Sequence, residues 1–127
     1  MPTSSATRSA PVDTPGLADA WQVPLLADLR VTAAGAQPRL KWTLPALNGR
    51  RIERIRVVVR GEPRVLGRFM SVLFSSGDLP PSATHFTVPP GVLVPGARYV
   101  FQVMLDDLEG GELKNRSSTF SDPYSFR

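Results

Sequence analysis

The stretch Leu93-Val94-Pro95-Gly96-Ala97-Arg98-Tyr99 constrains this chain more than any other, because it joins a Pro-Gly turn to an alternating strand that opens on a tyrosine. Tyr99, Phe101, Val103 and Leu105 recur at every second position, the period of a strand with one buried face. A leucine, a tight turn and a strand-opening tyrosine describe a corner where the chain crosses between two packed sheets. At such a corner the hydroxyl bonds backbone while the ring enters the core. Upstream, Leu40-Lys41-Trp42-Thr43-Leu44 alternates in the same way, and Pro45 closes it.

Further short runs fill the space between and around these two. Leu29 and Val31 predict a first strand (A) ending at Ala34-Gly35, and Arg39 to Leu44 a second (B) with Leu40, Trp42 and Leu44 buried. Asn48-Gly49 is a turn signal. Ile55, Val57 and Val59 face inward on strand C, which Gly61-Glu62-Pro63 is expected to end. Phe69 to Phe74 reads as an edge strand (C′), Thr84 to Val88 as strand E with Phe86 and Val88 inward, and Arg98 to Asp106 as strand F. A polar loop, Asp107 to Glu112, leads to strand G around Ser117 to Tyr124, where Asp122-Pro123 suggests a bulge or exposed edge. Seven short strands at this spacing predict an all-β, two-sheet antiparallel sandwich, with A, B and E on one sheet and C, C′, F and G on the other.

The 127 residues suffice for one such domain and not for two. Residues 1–22 are rich in Pro, Ser, Thr and Ala without periodicity and read as a disordered arm, leaving 23–127 as the domain. The absence of cysteine excludes disulfides, thiolate zinc sites and cysteine nucleophiles. No apolar stretch approaches the roughly 18 residues of a membrane span. The start of the chain lacks the basic and apolar regions of a signal peptide, so the reading is a segment of a longer exported protein or, if complete, a cytoplasmic one. The net charge of +4 suggests nucleic acid at first sight, but Lys41 and Lys114 are the only lysines among 15 basic residues. That bias fits an Arg-, Ala- and Pro-rich composition as well as phosphate binding, and no specific nucleic-acid site is expected.

Trp42, Leu93, Pro95, Gly96 and Tyr99 together resemble the fold-defining positions of fibronectin type III domains, disulfide-free relatives of the immunoglobulin sandwich. The resemblance covers about residues 24–126, with Ile55 where that family carries an inward tyrosine. It implies a seven-stranded scaffold without naming a ligand. Ser76-Gly77-Asp78-Leu79-Pro80-Pro81, Leu105-Asp106-Asp107-Leu108 and Asn115-Arg116-Ser117-Ser118-Thr119-Phe120 further resemble ectodomain segments of bacterial surface-anchored proteins.

Candidate sites are few. Asp106, Asp107, Glu109 and Glu112 are oxygen ligands of the kind calcium takes, but their spacing matches no EF-hand and they read as a solvated loop. Arg54, Arg56 and Arg60 share the outward face of strand C, where Arg98 can join them, making a stripe suited to a polyanion. That face is expected to lack aromatics for stacking on bases or sugars. Val58, Val100 and Met104 fall on the same face and make it amphipathic, as protein interfaces are. His85 is the one histidine, on the outward side of strand E, and makes neither a triad nor a zinc site by itself. The absence of a phosphate loop, nucleophile elbow or opposed carboxylate pair points away from an enzyme, and no cofactor or metal is expected.

The expected function is a non-catalytic interaction or spacer module of a bacterial surface or extracellular protein, with a protein partner. The alternatives are a carbohydrate module that uses the arginine stripe for acidic polysaccharide, and a structural protein that self-assembles through the C′ or G edge. Oligomeric state is left open.

Overall fold

The computed structural model describes residues 22–32, 35–65 and 68–127, with the backbone alone at 62–65 and 68–70. The apolar alternations become seven strands: β1 (Ala27–Thr32), β2 (Arg39–Thr43), β3 (Arg54–Val65), β4 (Arg68–Ser75), β5 (His85–Thr87), β6 (Tyr99–Glu109) and β7 (Glu112–Phe120). They form a three-stranded sheet in the order β1-β2-β5 and a four-stranded sheet in the order β4-β3-β6-β7, all pairings antiparallel. This is the grouping the alternation predicts, and the molecule is an all-β two-sheet sandwich. The expected arm lies outside the described residues except for the exposed Gln22, and so does Ala34, where the first strand is expected to end.

Side chains at every second position meet between the sheets. Leu40 and Trp42 from β2, Ile55, Val57 and Val59 from β3, and Tyr99, Phe101, Val103 and Leu105 from β6 form one buried cluster with Val23, Leu26, Ile52, Val88 and Leu93. Trp42 is 4% exposed, and its indole Nε1 donates to the Ala83 carbonyl at 2.9 Å, so the one polar atom of the ring is satisfied inside. The corner forms as the sequence predicts. The Tyr99 hydroxyl accepts from the Val94 amide at 2.7 Å, and Gly96 turns the chain at φ +85°, a conformation open to glycine at little cost. Asn48 and Gly49 both take positive φ, and the Arg50 amide bonds the Leu47 carbonyl, closing a tight turn.

The strand limits differ most from expectation at three places, beyond shifts of one residue at the ends of β2, β4, β5 and β6. Gly61-Glu62-Pro63 does not end strand C, because β3 runs on to Val65 through a register shift between Gly61 and Arg64. A bulge absorbs the missing proline donor that would otherwise break the ladder. The polar segment Asp107 to Glu112 is no loop: β6 continues to Glu109, and Gly110 and Gly111, both at positive φ, make a two-residue hairpin into Glu112. Consequently the last strand starts at Glu112 and ends at Phe120, and Asp122 and Pro123 lie beyond it, before an isolated bridge between Tyr99 and Tyr124.

Candidate functional site

The outer face of the four-stranded sheet collects most of the residues that the sequence singled out. Register sets the arrangement. Across β3 and β6, Arg54 stands opposite Asp106, Arg56 opposite Met104, Val58 opposite Gln102, and Arg60 opposite Val100. Across β6 and β7, Asp106 stands opposite Arg116, Met104 opposite Ser118, and Gln102 opposite Phe120. Directly opposed residues share a face, so these three strands carry a polar surface with apolar residues set within it.

Asp106 anchors the surface. Its carboxylate is fully buried and accepts from Arg54 Nε at 2.7 Å and from Arg116 Nε and Nη2 at 2.6 and 3.1 Å. Burial by itself pushes the carboxyl pKa up. The hydrogen bonds from Arg116 and Arg54 and their positive charge outweigh it and hold the group below the usual carboxylate value. The Arg116 guanidinium is shifted up by the same bond. Asp78, from the loop after β4, accepts from Arg56 Nε at 2.8 Å and lies 3.9 Å from Arg54 Nη1. Arg60 Nε donates to Gln102 Oε1 at 2.8 Å, and Gln102 Nε2 donates in turn to the Ser118 hydroxyl at 3.1 Å. Two sets of fixed guanidiniums therefore lie over β3, β6 and β7: Arg54, Arg56 and Arg116 about Asp78 and Asp106, and Arg60 on Gln102.

Val58, Val100 and Met104 do lie on this face, as the alternation requires, but they are only 6%, 9% and 7% exposed. The expectation that they offer an apolar surface is corrected. They sit on the two central strands beside Arg54, Arg56 and Arg60, whose charged heads each reach a partner. The exposed apolar residues of the face stand on its outer strands instead: Val72 on β4, opposite Arg60, is 57% exposed, and Phe120 on β7 is 55% exposed. Phe120 also corrects the expectation that no aromatic stands here. The sequence missed it because the face of Phe120 is set by the register of β7 against β6, which no local pattern in the last strand gives. Arg98 precedes β6 by one residue rather than lying on it.

The acidic run does not converge as a calcium site would. Asp106 is held by two arginines, and Glu109 pairs with Lys114 at 3.5 Å across the hairpin. Among the described residues no three His, Cys, Asp or Glu side chains gather at one point. His85 is exposed on β5. No described helix is long and apolar enough to cross a membrane.

Compared with known proteins, the chain matches no protein-family model and no curated protein.

Proposed function

We propose that this domain is a non-catalytic interaction module of the fibronectin type III kind, belonging to a bacterial surface or extracellular assembly, and that it docks a protein partner through the outer face of its four-stranded sheet. The observation carrying this reading is the fixed guanidiniums flanked by the exposed Phe120 and Val72. Arginine and aromatic side chains dominate protein interfaces, and side chains already held in place lose little freedom on binding. The same pairing counts against a polyanion on this face, since Asp78, Asp106 and Gln102 already occupy the groups a polyanion would need.

The test is retention of a surface-protein extract of the source cells on the immobilised domain. A partner held by the wild-type protein and by Arg39→Ser, on the opposite sheet, but lost from Phe120→Ser/Arg60→Glu, supports the reading. Equal retention by all three overturns it. Sedimentation between micromolar and millimolar concentration covers the case in which the partner is a second copy: a dimer abolished by the same double change assigns the face to self-association.

A further inference from the structure

The outer face of the three-stranded sheet is built differently. Along β1, β2 and β5 the exposed positions are Ala27, Asp28, Arg30 and Thr32, then Arg39, Lys41 and Thr43, then His85 and Thr87. Register sets Arg30 opposite Lys41 and Lys41 opposite His85, while Thr32 and Thr87 flank Arg39 on either side. Like charges directly opposite one another on paired strands destabilise a sheet. Among the described residues no ion pair relieves Arg30, Arg39 or Lys41. Asp28, held at φ +54°, shares an open depression with Arg30, Thr32, Lys41 and Thr43 yet forms no ion pair with them. A local rule broken without compensation is what a binding surface shows when its countercharge arrives with the ligand.

We infer that this face binds a linear acidic polysaccharide, whose sulfate or carboxylate groups lie over the Arg30–Lys41–His85 row and over Arg39. Charge complementarity argues for a polyanion, and the remaining chemistry of the face selects among polyanions. Neighbouring strands run about 4.8 Å apart, so the register sets Arg30, Lys41 and His85 in a row across the sheet, suited to an extended chain with regularly placed charges. Thr32, Thr43 and Thr87 supply hydroxyls between the cations for the hydroxyls of a sugar, and the Thr32 hydroxyl, donating to the Arg39 carbonyl at 2.9 Å, keeps its lone pairs free to accept. No Phe, Tyr or Trp is exposed on these three strands to stack a base, which turns the face away from single-stranded nucleic acid. Three permanent cations also neutralise too few phosphates to hold a duplex against physiological salt.

Calorimetric titration with a heparin octasaccharide at about 50 mM salt tests the assignment, with a neutral dextran oligosaccharide and a single-stranded DNA of equal charge as the other arms. Binding of the sulfated oligosaccharide is expected, weakening roughly 100-fold per tenfold rise in salt for three neutralised charges. Arg30→Ser/Arg39→Ser/Lys41→Ser should lower the affinity at least about tenfold, and Arg56→Ser/Arg60→Ser on the other sheet should leave it within about twofold. All three residues changed in the first variant are exposed, so a melting curve close to wild type is expected with the loss. The assignment is overturned if the oligosaccharide does not bind, if the triple variant binds as tightly as wild type, if the control loses as much, or if the DNA binds equally well. Any of these leaves the docking face of the four-stranded sheet untouched, since that reading depends on other residues.

Discussion

The two outer faces of this sandwich carry similar numbers of cations and treat them in opposite ways. On the four-stranded sheet Arg54, Arg56 and Arg116 each reach Asp78 or Asp106, and Arg60 reaches Gln102. On the three-stranded sheet Arg30, Arg39 and Lys41 stand across from one another or from His85 and threonines, with no ion pair to a carboxylate among the described residues. Formal charge therefore misleads about where the domain is electrostatically available. The arginine-dense strand is the quieter surface, and the strand bearing Lys41 is the live one. The first face suits a partner that recognises fixed shape, and the second suits one that brings negative charge.

Both faces ride on one core, and that is the first place to break the contrast between them. Trp42 lies in the buried cluster, directly behind the cationic face. Trp42→Ala should cost roughly 3–5 kcal/mol and unfold both faces in a single transition in urea. Two separate transitions would mean that the sheets are not one cooperative unit.

Next in size is the anchor of the quiet face. Asp106→Ala should cost about 2–3 kcal/mol, because it strips Arg116 of its ion-pair partner and leaves Arg54 with only the distant Asp78. Its pH signature has a definite sign. The folded carboxyl titrates below its unfolded value, so its contribution to stability is complete above the ordinary carboxylate range and is lost as pH falls through the depressed pKa. Wild type should thus lose stability on acidification from about pH 5 toward pH 2 more steeply than Asp106→Asn, as followed by thermal melts across that range. Parallel slopes would show that the network adds nothing to folding.

Tyr99→Phe tests the corner from which β6 carries both Asp106 and the core residues. It removes the acceptor of the Val94 amide and should cost about 1–2 kcal/mol with the fold retained, read as a shifted denaturant midpoint at unchanged slope.

The smallest effect is the most diagnostic for the live face. Lys41→Glu puts a carboxylate between Arg30 and His85, and should raise the melting temperature of the free domain by about 1–3 °C while removing affinity for the acidic polysaccharide. A variant that melts lower would show that the cations are not in conflict there.

Much of the architecture was legible in the chain. Trp42, Leu93, Pro95, Gly96 and Tyr99 placed the sheet-to-sheet corner and the core, because a period of two and a Pro-Gly turn are local signals that need no knowledge of distant neighbours. The grouping of strands into the two sheets followed from the same pattern. Strand ends were less legible. Pro63 sits inside β3 through a bulge, and the Gly110-Gly111 hairpin turned an apparently polar loop into paired strand; both outcomes depend on the partner strand and not on local preference. The candidate surface was legible only in half. Alternation put Arg54, Arg56 and Arg60 on one face, but it could not say that Asp106, far along the chain, and Asp78, on a loop, would meet them. Charge pairing across a sheet is set by register, and a one-residue slip exchanges the two faces of a strand. What the sequence determined by itself was therefore the scaffold and which residues point inward. Which charges cancel, that Val58 and Met104 lie covered, and that Arg30, Arg39 and Lys41 stand together uncompensated were decided by tertiary structure, because each depends on the distance between residues far apart in the chain.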